Sequence, residues 1–214
     1  TTTNAANSGD VNTAVNAAKT HFYSVKSTET AAGNYNNVVA TGINALAAGV
    51  EAKAMGSGDT AIGFGANANA GDAVAIGTNA KVLTGTSGVT SAARGIAIGF
   101  NANAQVASSI AMGNGATTTG TTGVANAIAI GTDAYTYGAN GVAIGMNAGK
   151  GSTATSGNNV TVGADSGQRN QGTNNVAIGP GSGNDLGENV RQNIALGSGA
   201  GNQIKSSSGF ADYN

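Results

Sequence analysis

His21 is the residue with the clearest potential for acid–base chemistry, because histidine titrates near neutral pH and the 214 residues contain a single histidine. Catalysis would also need a nucleophile and a group that orients the base, and neither accompanies His21. We therefore expect His21 to flank an apolar segment and not to catalyse a reaction. One histidine and no cysteine leave no ligand cluster for zinc, so we predict neither an enzyme nor a metal or cofactor site.

The segment Gly145–Lys150 has the glycines and the lysine of a phosphate-binding loop but lacks its spacing. A phosphate loop places four residues between its glycines and Ser or Thr directly after the lysine. Here three residues separate the glycines, and another glycine follows the lysine. The Gly-x-Gly-x-Gly runs at 179–183 and 197–201 stand between expected strands and not before a helix. We interpret all three segments as turns of a repeat.

The chain is built largely from small residues, with 41 alanines and 36 glycines beside only 4% aromatic and 9% charged residues. A conventional core needs large side chains to fill its volume, so an ordinary globule is excluded. A net charge of −1 and a pI near 5.6 provide no basic face for nucleic acid. No apolar run approaches the roughly 20 residues that span a bilayer as a helix. This composition favours a regular repeat.

A four-residue phrase recurs with a base period of 14 residues: an apolar residue, alanine, a second apolar residue and glycine. Seven copies fit the phrase closely, and three looser copies bring the total to ten. Val142-Ala143-Ile144-Gly145 is a typical copy, and Leu46-Ala47-Ala48-Gly49 is the first. Three positions after every glycine stands Ala or Ser. Each glycine is expected at a turn that a Cβ atom would obstruct. The predicted turn glycines after Gly49 are Gly63, Gly77, Gly99, Gly113, Gly131, Gly145, Gly163, Gly179 and Gly197.

Alternation with a period of two inside each copy predicts a strand. Fourteen residues then form one coil of two strands and two turns, and about ten coils stack with parallel hydrogen bonding from coil to coil. The branched residues share one face of the strand and alanine takes the other. We expect the alanine face to be an exposed apolar strip that pairs with other chains. The interface residues predicted on this basis are Ala61, Ala75, Ala97, Ala111, Ala129, Ala143, Ala177 and Ala195.

The second strand of each coil is predicted from segments such as 66–70, in which alanine should point inward and asparagine outward. In the last four copies glycine takes the outward position, which predicts a different turn. Insertions rich in Gly, Ser, Thr and Asn are expected as surface loops. They lie around 82–93, 117–126, 150–158, 168–174 and 183–191. The predicted ligand contacts are Tyr135, Tyr137, Lys150, Arg169, Asn174, Ser182 and Arg191.

The two ends of the chain lack the repeat. Asp10 is expected to cap a short helix whose apolar stripe continues at Val11 and Ala14. His21-Phe22-Tyr23-Ser24-Val25 is predicted to be a strand that covers the first coil. The expected division is a helical connector at 1–20, the repeat region at 21–201, and a link at 202–214 to a neck or stalk.

The ten repeats, the opening His21–Val25 and the stretch Asn34-Tyr35-Asn36-Asn37 resemble the YadA-like head of trimeric autotransporter adhesins. The resemblance covers about residues 21–201. It implies an all-β, left-handed parallel β-roll in a homotrimer. It also implies display on the cell surface of a Gram-negative-type bacterium, with a separate C-terminal barrel as the outer-membrane anchor.

The same resemblance implies attachment without chemistry to extracellular matrix proteins such as collagen or fibronectin, to host-cell receptors, or to other bacteria. A collagen-linked motif of the family is similar to Asn174–Ser182, where Asn175 stands in place of the motif's serine. Most of that motif is also the structural repeat, so it does not identify the ligand.

A single-chain β-solenoid that binds ice is the alternative function from a different class. Ice-binding solenoids present threonine in regular rows. Here the threonines cluster in the insertions and do not recur at one position of the coil, which favours the adhesin. The clustered residues are Thr84, Thr86, Thr117, Thr118, Thr119, Thr121 and Thr122.

Overall fold

The computed structural model describes residues 8–18, 39–83, 92–120, 125–153, 157–188, 190–204 and 211–212. The chain divides into two compact units, Thr1–Thr30 and Ala31–Asn214. The predicted capping strand at 21–25 and the stretch at 34–37 lie outside the described residues. The boundary expected between residues 20 and 21 lies there too, and it stays a prediction.

The described part of the first unit, residues 8–18, is a helix, α1 (Ser8–Ala18). It begins two residues before Asp10, so the prediction that Asp10 caps the helix is wrong. Asp10 lies in the first turn, where its negative charge interacts favourably with the unpaired N–H groups and the helix dipole. The Thr13 hydroxyl donates a hydrogen bond to the Gly9 carbonyl oxygen at 2.9 Å.

The second unit consists of short strands joined by turns. In chain order they are β1 (Leu46–Ala48), β2 (Lys53–Ala54), β3 (Thr60–Ile62), β4 (Asn67–Asn69), β5 (Val74–Ile76), β6 (Lys81–Leu83), β7 (Ile96–Ile98), β8 (Asn103–Ala104), β9 (Ile110–Met112), β10 (Thr117–Thr119), β11 (Ile128–Ile130), β12 (Tyr135–Tyr137), β13 (Val142–Ile144), β14 (Val160–Val162), β15 (Val176–Ile178), β16 (Val190–Arg191), β17 (Ile194–Leu196) and β18 (Ala211–Asp212).

Two parallel sheets form a β-solenoid, as the repeat predicts. Among the described residues, the long sheet has ten strands, one from each copy of the repeat: β1, β3, β5, β7, β9, β11, β13, β14, β15 and β17. The short sheet has six strands, β2, β4, β6, β8, β10 and β12. Equivalent residues pair across every step, as Ala129 does with Ala143 and Ala111. The insertions therefore leave the strand register unchanged.

Side chains of alanine fill the interior between the two sheets. Ala61 and Ala75 of the long sheet and Ala54 and Ala68 of the short sheet are fully buried in one hydrophobic cluster. The predicted inward alanines and outward asparagines of 66–70 are confirmed. Small side chains predominate and Val82 is the largest in this cluster, because interiors pack to high density and the two sheets of so short a coil lie close together.

The last four copies depart from the regular coil. The predicted number of two-strand coils, ten, is therefore too high. After β13, β14, β15 and β17 the chain forms consecutive turns in place of the second strand. Glycine is required there, because a Cβ atom on Gly167 would overlap the Thr161 side chain of the same coil, and one on Gly183 would overlap the Ala177 side chain. The backbone thus folds directly onto the strand, and these coils are narrower than the first six.

The glycine that ends each long-sheet strand has a backbone conformation reserved for glycine. In all ten copies its φ lies between 110° and 137°, and the residue two positions later is also left-handed, as Asn147 is at φ 54°. A β-turn follows each glycine, with the Ala148 N–H donating to the Gly145 carbonyl oxygen at 3.3 Å. The single proline, Pro180, takes the second turn position, which proline favours. The predicted turn glycines are confirmed.

A third pairing lies near the C-terminus. β16 and β18 pair in parallel, with Val190 opposite Ala211. The segment predicted as a link at 202–214 therefore contains a strand that returns to the solenoid. Residues 205–210 lie outside the described part of the chain.

Candidate functional site

The alanines predicted to form an interface between chains are buried inside their own chain, so that prediction is wrong. A solvent-free position within one coil has no surface to offer to a neighbour. The eight are at most 6% exposed: Ala61, Ala75, Ala97, Ala111, Ala129, Ala143, Ala177 and Ala195. The exposed apolar strip exists, but the residues that flank each alanine form it.

We call this strip the aliphatic face, and it consists of the outward side chains of the long sheet. Ile62, Met112, Ile144 and Ile178 are 38–42% exposed, and Leu196 is 63% exposed. Nine steps between ten strands make the face about 43 Å long. Its residues are Leu46, Thr60, Ile62, Val74, Ile76, Ile96, Ile98, Ile110, Met112, Ile128, Ile130, Val142, Ile144, Val160, Val162, Val176, Ile178, Ile194 and Leu196.

The outward side chains of the short sheet form a chemically different surface, the polar face. Its residues are Lys53, Asn67, Asn69, Lys81, Leu83, Asn103, Thr117, Thr119, Tyr135 and Tyr137. One straight row across all six strands carries Lys53, Asn67, Lys81, Asn103, Thr117 and Tyr135, because these residues pair strand by strand. None of these outward positions holds an acidic residue.

Tyr135 and Tyr137 stand side by side at the end of the polar face. Their ring centroids are 6.5 Å apart and the ring planes are inclined by 42°. Both rings are partly exposed. Burial raises the pKa of the Tyr135 phenol, and the neighbouring Tyr137 raises it further, so Tyr135 stays neutral at physiological pH. The pair offers a partly exposed aromatic surface with hydroxyl groups, and its role as a ligand contact stays a prediction.

A small cavity of about 20 Å³ lies beneath this pair, where the short sheet ends. Thr136 and Asn170 line it, and both side chains are buried. Thr136 Oγ1 and Asn170 Nδ2 have no hydrogen-bond partner within the described chain. A volume of this size holds one water molecule when at least two polar groups surround it. The cavity therefore has the dimensions and the polar groups of a site for one bound water.

Replacing Thr136 with valine tests this assignment through the sign of the stability change. If a water bridges Thr136 and Asn170, the variant leaves the buried Asn170 amide unpaired, and we expect a loss of about 1 kcal/mol in the free energy of unfolding. If the cavity is dry, valine removes an unsatisfied hydroxyl and the protein becomes more stable. Denaturant unfolding of both proteins distinguishes the two results.

Thr118 provides the matched control for that experiment. It occupies the equivalent position one coil earlier, and its hydroxyl donates to Ser109 Oγ at 2.9 Å. The variant Thr118→Val therefore measures the loss of a known hydrogen bond at the same position of the coil.

Two of the predicted contact residues are held in exposed ion pairs on the turns. Lys150 Nζ lies 3.0 Å from Asp133 Oδ2. Arg169 binds Asp185 through two bonds, at 2.5 Å and 2.7 Å, and this hydrogen bonding raises the pKa of Arg169. Both remain accessible, but their charges are already partly neutralised. Arg191 is exposed in β16.

In the segment that is similar to the collagen-linked motif, only some of the side chains are exposed to solvent. Ser182 is fully buried and donates to the Gly179 carbonyl oxygen at 2.8 Å, so the prediction of Ser182 as a ligand contact is wrong. Asn175 is also buried, and its backbone N–H donates to Asn159 Oδ1 at 2.8 Å. Asn174 is the polar side chain of the three that reaches the surface.

Asn174 ends an exposed ladder of four asparagines that sequence reasoning missed. Asn126 donates to Asn140 at 3.3 Å, Asn140 to Asn158 at 3.1 Å, and Asn158 to Asn174 at 3.0 Å. All four have left-handed backbones, with φ between 54° and 60°, which asparagine tolerates better than most residues. The signal available in the sequence was an asparagine two positions before each of four consecutive strands of the long sheet.

The described residues contain neither a group of three His, Cys, Asp or Glu side chains suited to a metal ion nor a helix that is long and apolar enough to cross a membrane. The strongest features of the surface are therefore the aliphatic face, the polar face and the asparagine ladder. Each is suited to binding other molecules by contact.

Comparison with known families gives one match. A model described as the YadA head domain repeat, in two copies, matches residues 40–64, 54–80, 91–116, 107–125 and 125–148. These matches end one residue before Gly149, where consecutive turns replace the second strand of the coil. No curated protein matches the chain.

Proposed function

Because residues 40–148 carry YadA head domain repeats on a parallel β-solenoid, the chain belongs to the proteins with a YadA-like head, and we propose that it is the adhesive head of a homotrimeric surface fibre. YadA head domains belong to surface-exposed trimeric autotransporter adhesins. The observation that carries the proposal is the aliphatic face, which a single chain leaves uncovered. Its role in this proposal is assembly and not catalysis.

Three parallel copies of the chain would cover their aliphatic faces around a shared axis. Contiguous exposed apolar surface of this extent marks an interface in soluble proteins, and cyclic symmetry is the usual way to close such an assembly. The isoleucine and valine side chains of the aliphatic face supply the apolar contact area that the buried alanines cannot supply. The helix α1 is proposed to associate with its two counterparts, and the β-roll is proposed to be left-handed, as in the family.

The rest of the surface is proposed to make adhesive contacts without chemistry. The polar face, with Tyr135 and Tyr137, stays accessible when the aliphatic faces meet, because the two sheets lie on opposite sides of the interior. Lys150, Arg169, Asn174 and Arg191 add polar contacts on the turns and in β16. Three copies per fibre and many fibres per cell multiply weak contacts through avidity.

The proposed targets are extracellular matrix proteins, with collagen or fibronectin among them, host-cell receptors, or the surfaces of other bacteria. The proposed location is the cell surface, with an anchor in the outer membrane formed by a part of the protein outside this chain. Attachment of this kind supports host colonisation and biofilm formation.

Ice binding is not favoured. An ice-binding face needs one residue type repeated in register, and the rows of the polar face mix Lys, Asn, Thr and Tyr. Thr117 and Thr119 lie on one strand and do not continue as a row of threonines. The residues at 84, 86, 121 and 122 lie outside the described part of the chain.

Shortening the longest insertion tests where attachment takes place. The insertion predicted at 82–93 is too wide, since Val82 and Ala92 are fully buried. Removing residues 84–91 alone joins Leu83 to Ala92 and restores the 14-residue spacing, because Leu83 then precedes Ile96 by the five residues that separate Asn69 from Val74. We expect the shortened chain to fold and to keep its oligomeric state.

The same variant is expected to attach less strongly to immobilised matrix proteins, cultured cells or partner bacteria. Purified full chain and shortened chain are compared in one binding assay, with circular dichroism and light scattering as controls for folding and mass. Equal attachment by both proteins would show that residues 84–91 make no contact. Attachment by neither would count against an adhesive role for the head.

A further inference from the structure

The polar face carries two lysines, Lys53 and Lys81. Within the described part of the chain neither forms an ion pair, whereas Lys150 and Arg169 do. The acidic residues beside this face, Glu51, Asp59, Asp72 and Asp133, lie on turns and not on its strands. Asp133 is paired with Lys150, and the buried Asp59 carboxylate accepts hydrogen bonds from the backbone N–H groups of Gly56, Ala70 and Ala73. The outward strand positions of this face therefore carry two positive charges and no negative charge, on a protein whose net charge is −1.

The spacing of these charges is regular. Lys53 and Lys81 pair with Asn67 from its two sides, so the lysines are two strand steps apart, about 10 Å. Asn67 and Asn103 alternate with them along the row. A ligand that lies along this row meets cation, amide, cation and amide in turn.

Aromatic side chains complete the surface at the other end of the row. Tyr135 lies five strand steps from Lys53, about 24 Å away, and its ring and that of Tyr137 are partly exposed. Aromatic rings with nearby amides and hydroxyls are suited to sugar rings, since each sugar has an apolar face and a rim of hydroxyl groups. Thr117 and Thr119 offer further hydroxyl groups between the lysines and the tyrosines.

We propose that the polar face binds a linear acidic polysaccharide with a negative charge on alternate sugars, which lies along the row from Lys53 to Tyr135. Two sugar units are about as long as two strand steps, so carboxylates on alternate sugars come opposite Lys53 and Lys81. This inference rests on the proposed adhesive function and specifies its ligand. Nucleic acid fits less well, because its phosphates are more closely spaced than the two lysines.

Binding of hyaluronan oligosaccharides to the full 214-residue chain tests the proposal. We expect binding that weakens as salt rises, because exposed charge pairs are screened. Lys53→Gln and Lys81→Gln should each weaken it about two- to five-fold, and together about ten-fold, as expected for exposed ion pairs. Tyr137→Leu should weaken it while circular dichroism stays unchanged. Arg94→Gln removes an exposed cation from the opposite turn and should leave binding unchanged.

Three results would overturn the proposal. The first two are binding of neutral dextran, or of polyglutamate, that is as strong as the binding of hyaluronan. The third is an affinity for hyaluronan that does not change in the lysine variants. Attachment to matrix proteins or cells is measured on the same samples. Attachment without polysaccharide binding would reject this ligand and keep the adhesive function, whereas loss of both would reject the two together.

Discussion

Replacing Ile98 and Ile130 with lysine is expected to convert a trimer of about 61 kDa, three times the 20.4 kDa chain, into monomers. Both side chains point outward in the middle of the aliphatic face. A trimer of the variant would enclose six lysines near its axis, and burying a charge without a partner costs several kcal/mol. In the monomer the same lysines reach water freely, so the solenoid itself should remain folded. Light scattering on a sizing column measures the mass.

The control places the same charges on the opposite side of the solenoid. Asn103→Lys and Thr117→Lys alter two outward positions of the polar face and should leave the mass at that of the trimer. A monomeric unmodified chain, or a trimer that tolerates lysine at both isoleucine positions, would contradict assembly through the aliphatic face.

Gly145→Val is expected to prevent normal folding. Gly145 has φ 131°, a conformation that costs a residue with a side chain roughly 1–3 kcal/mol. A Cβ atom there would also lie 2.5 Å from the carbonyl oxygen of Gly163 in the next coil. Backbone atoms cannot yield without breaking the hydrogen bonds between coils, so we expect a total loss above about 4 kcal/mol. Circular dichroism with thermal unfolding, and the soluble yield, measure the effect.

Gly197 separates the two causes of that loss. It belongs to the same row and has φ 110°, but none of the described residues lies within 4 Å of the place where its Cβ atom would be. Gly197→Val should therefore show the cost of the backbone conformation alone, and it should be milder than Gly145→Val. Equal damage at both positions would mean that contact between neighbouring coils does not matter.

The turn glycines were predictable because spacing alone identifies them. One glycine ends the apolar phrase in every copy of the repeat, and a small residue always follows it three positions later, a regularity that chance does not produce. The orientation of each strand was not predictable in the same way. A period of two places Ala143 and Ile144 on opposite faces but does not say which face is inside. The narrow coil decides in favour of alanine, since the inward positions of the two sheets hold side chains no larger than valine.

Other features depend on contacts between coils that the sequence shows only indirectly. Glycine at 149, 167, 183 and 201 indicates a changed turn, but the reason appears only when the backbone is seen folded onto its own strand. Ser182 is a polar residue in the segment that is similar to the collagen-linked motif, and the turn geometry places it inside. The asparagine ladder arises because unequal insertions still bring equivalent positions into register.

An interior built mainly of alanine has a consequence for how the stability of this protein varies with temperature. The heat capacity change of unfolding rises with the apolar surface that is exposed and falls with the polar surface. Each coil of a single chain buries little apolar area beyond alanine, but it buries a full complement of peptide groups in hydrogen bonds. The heat capacity change per residue should therefore be small. The stability curve of such a protein is broad and shallow, so its folding free energy differs little between a cold environment and a warm one.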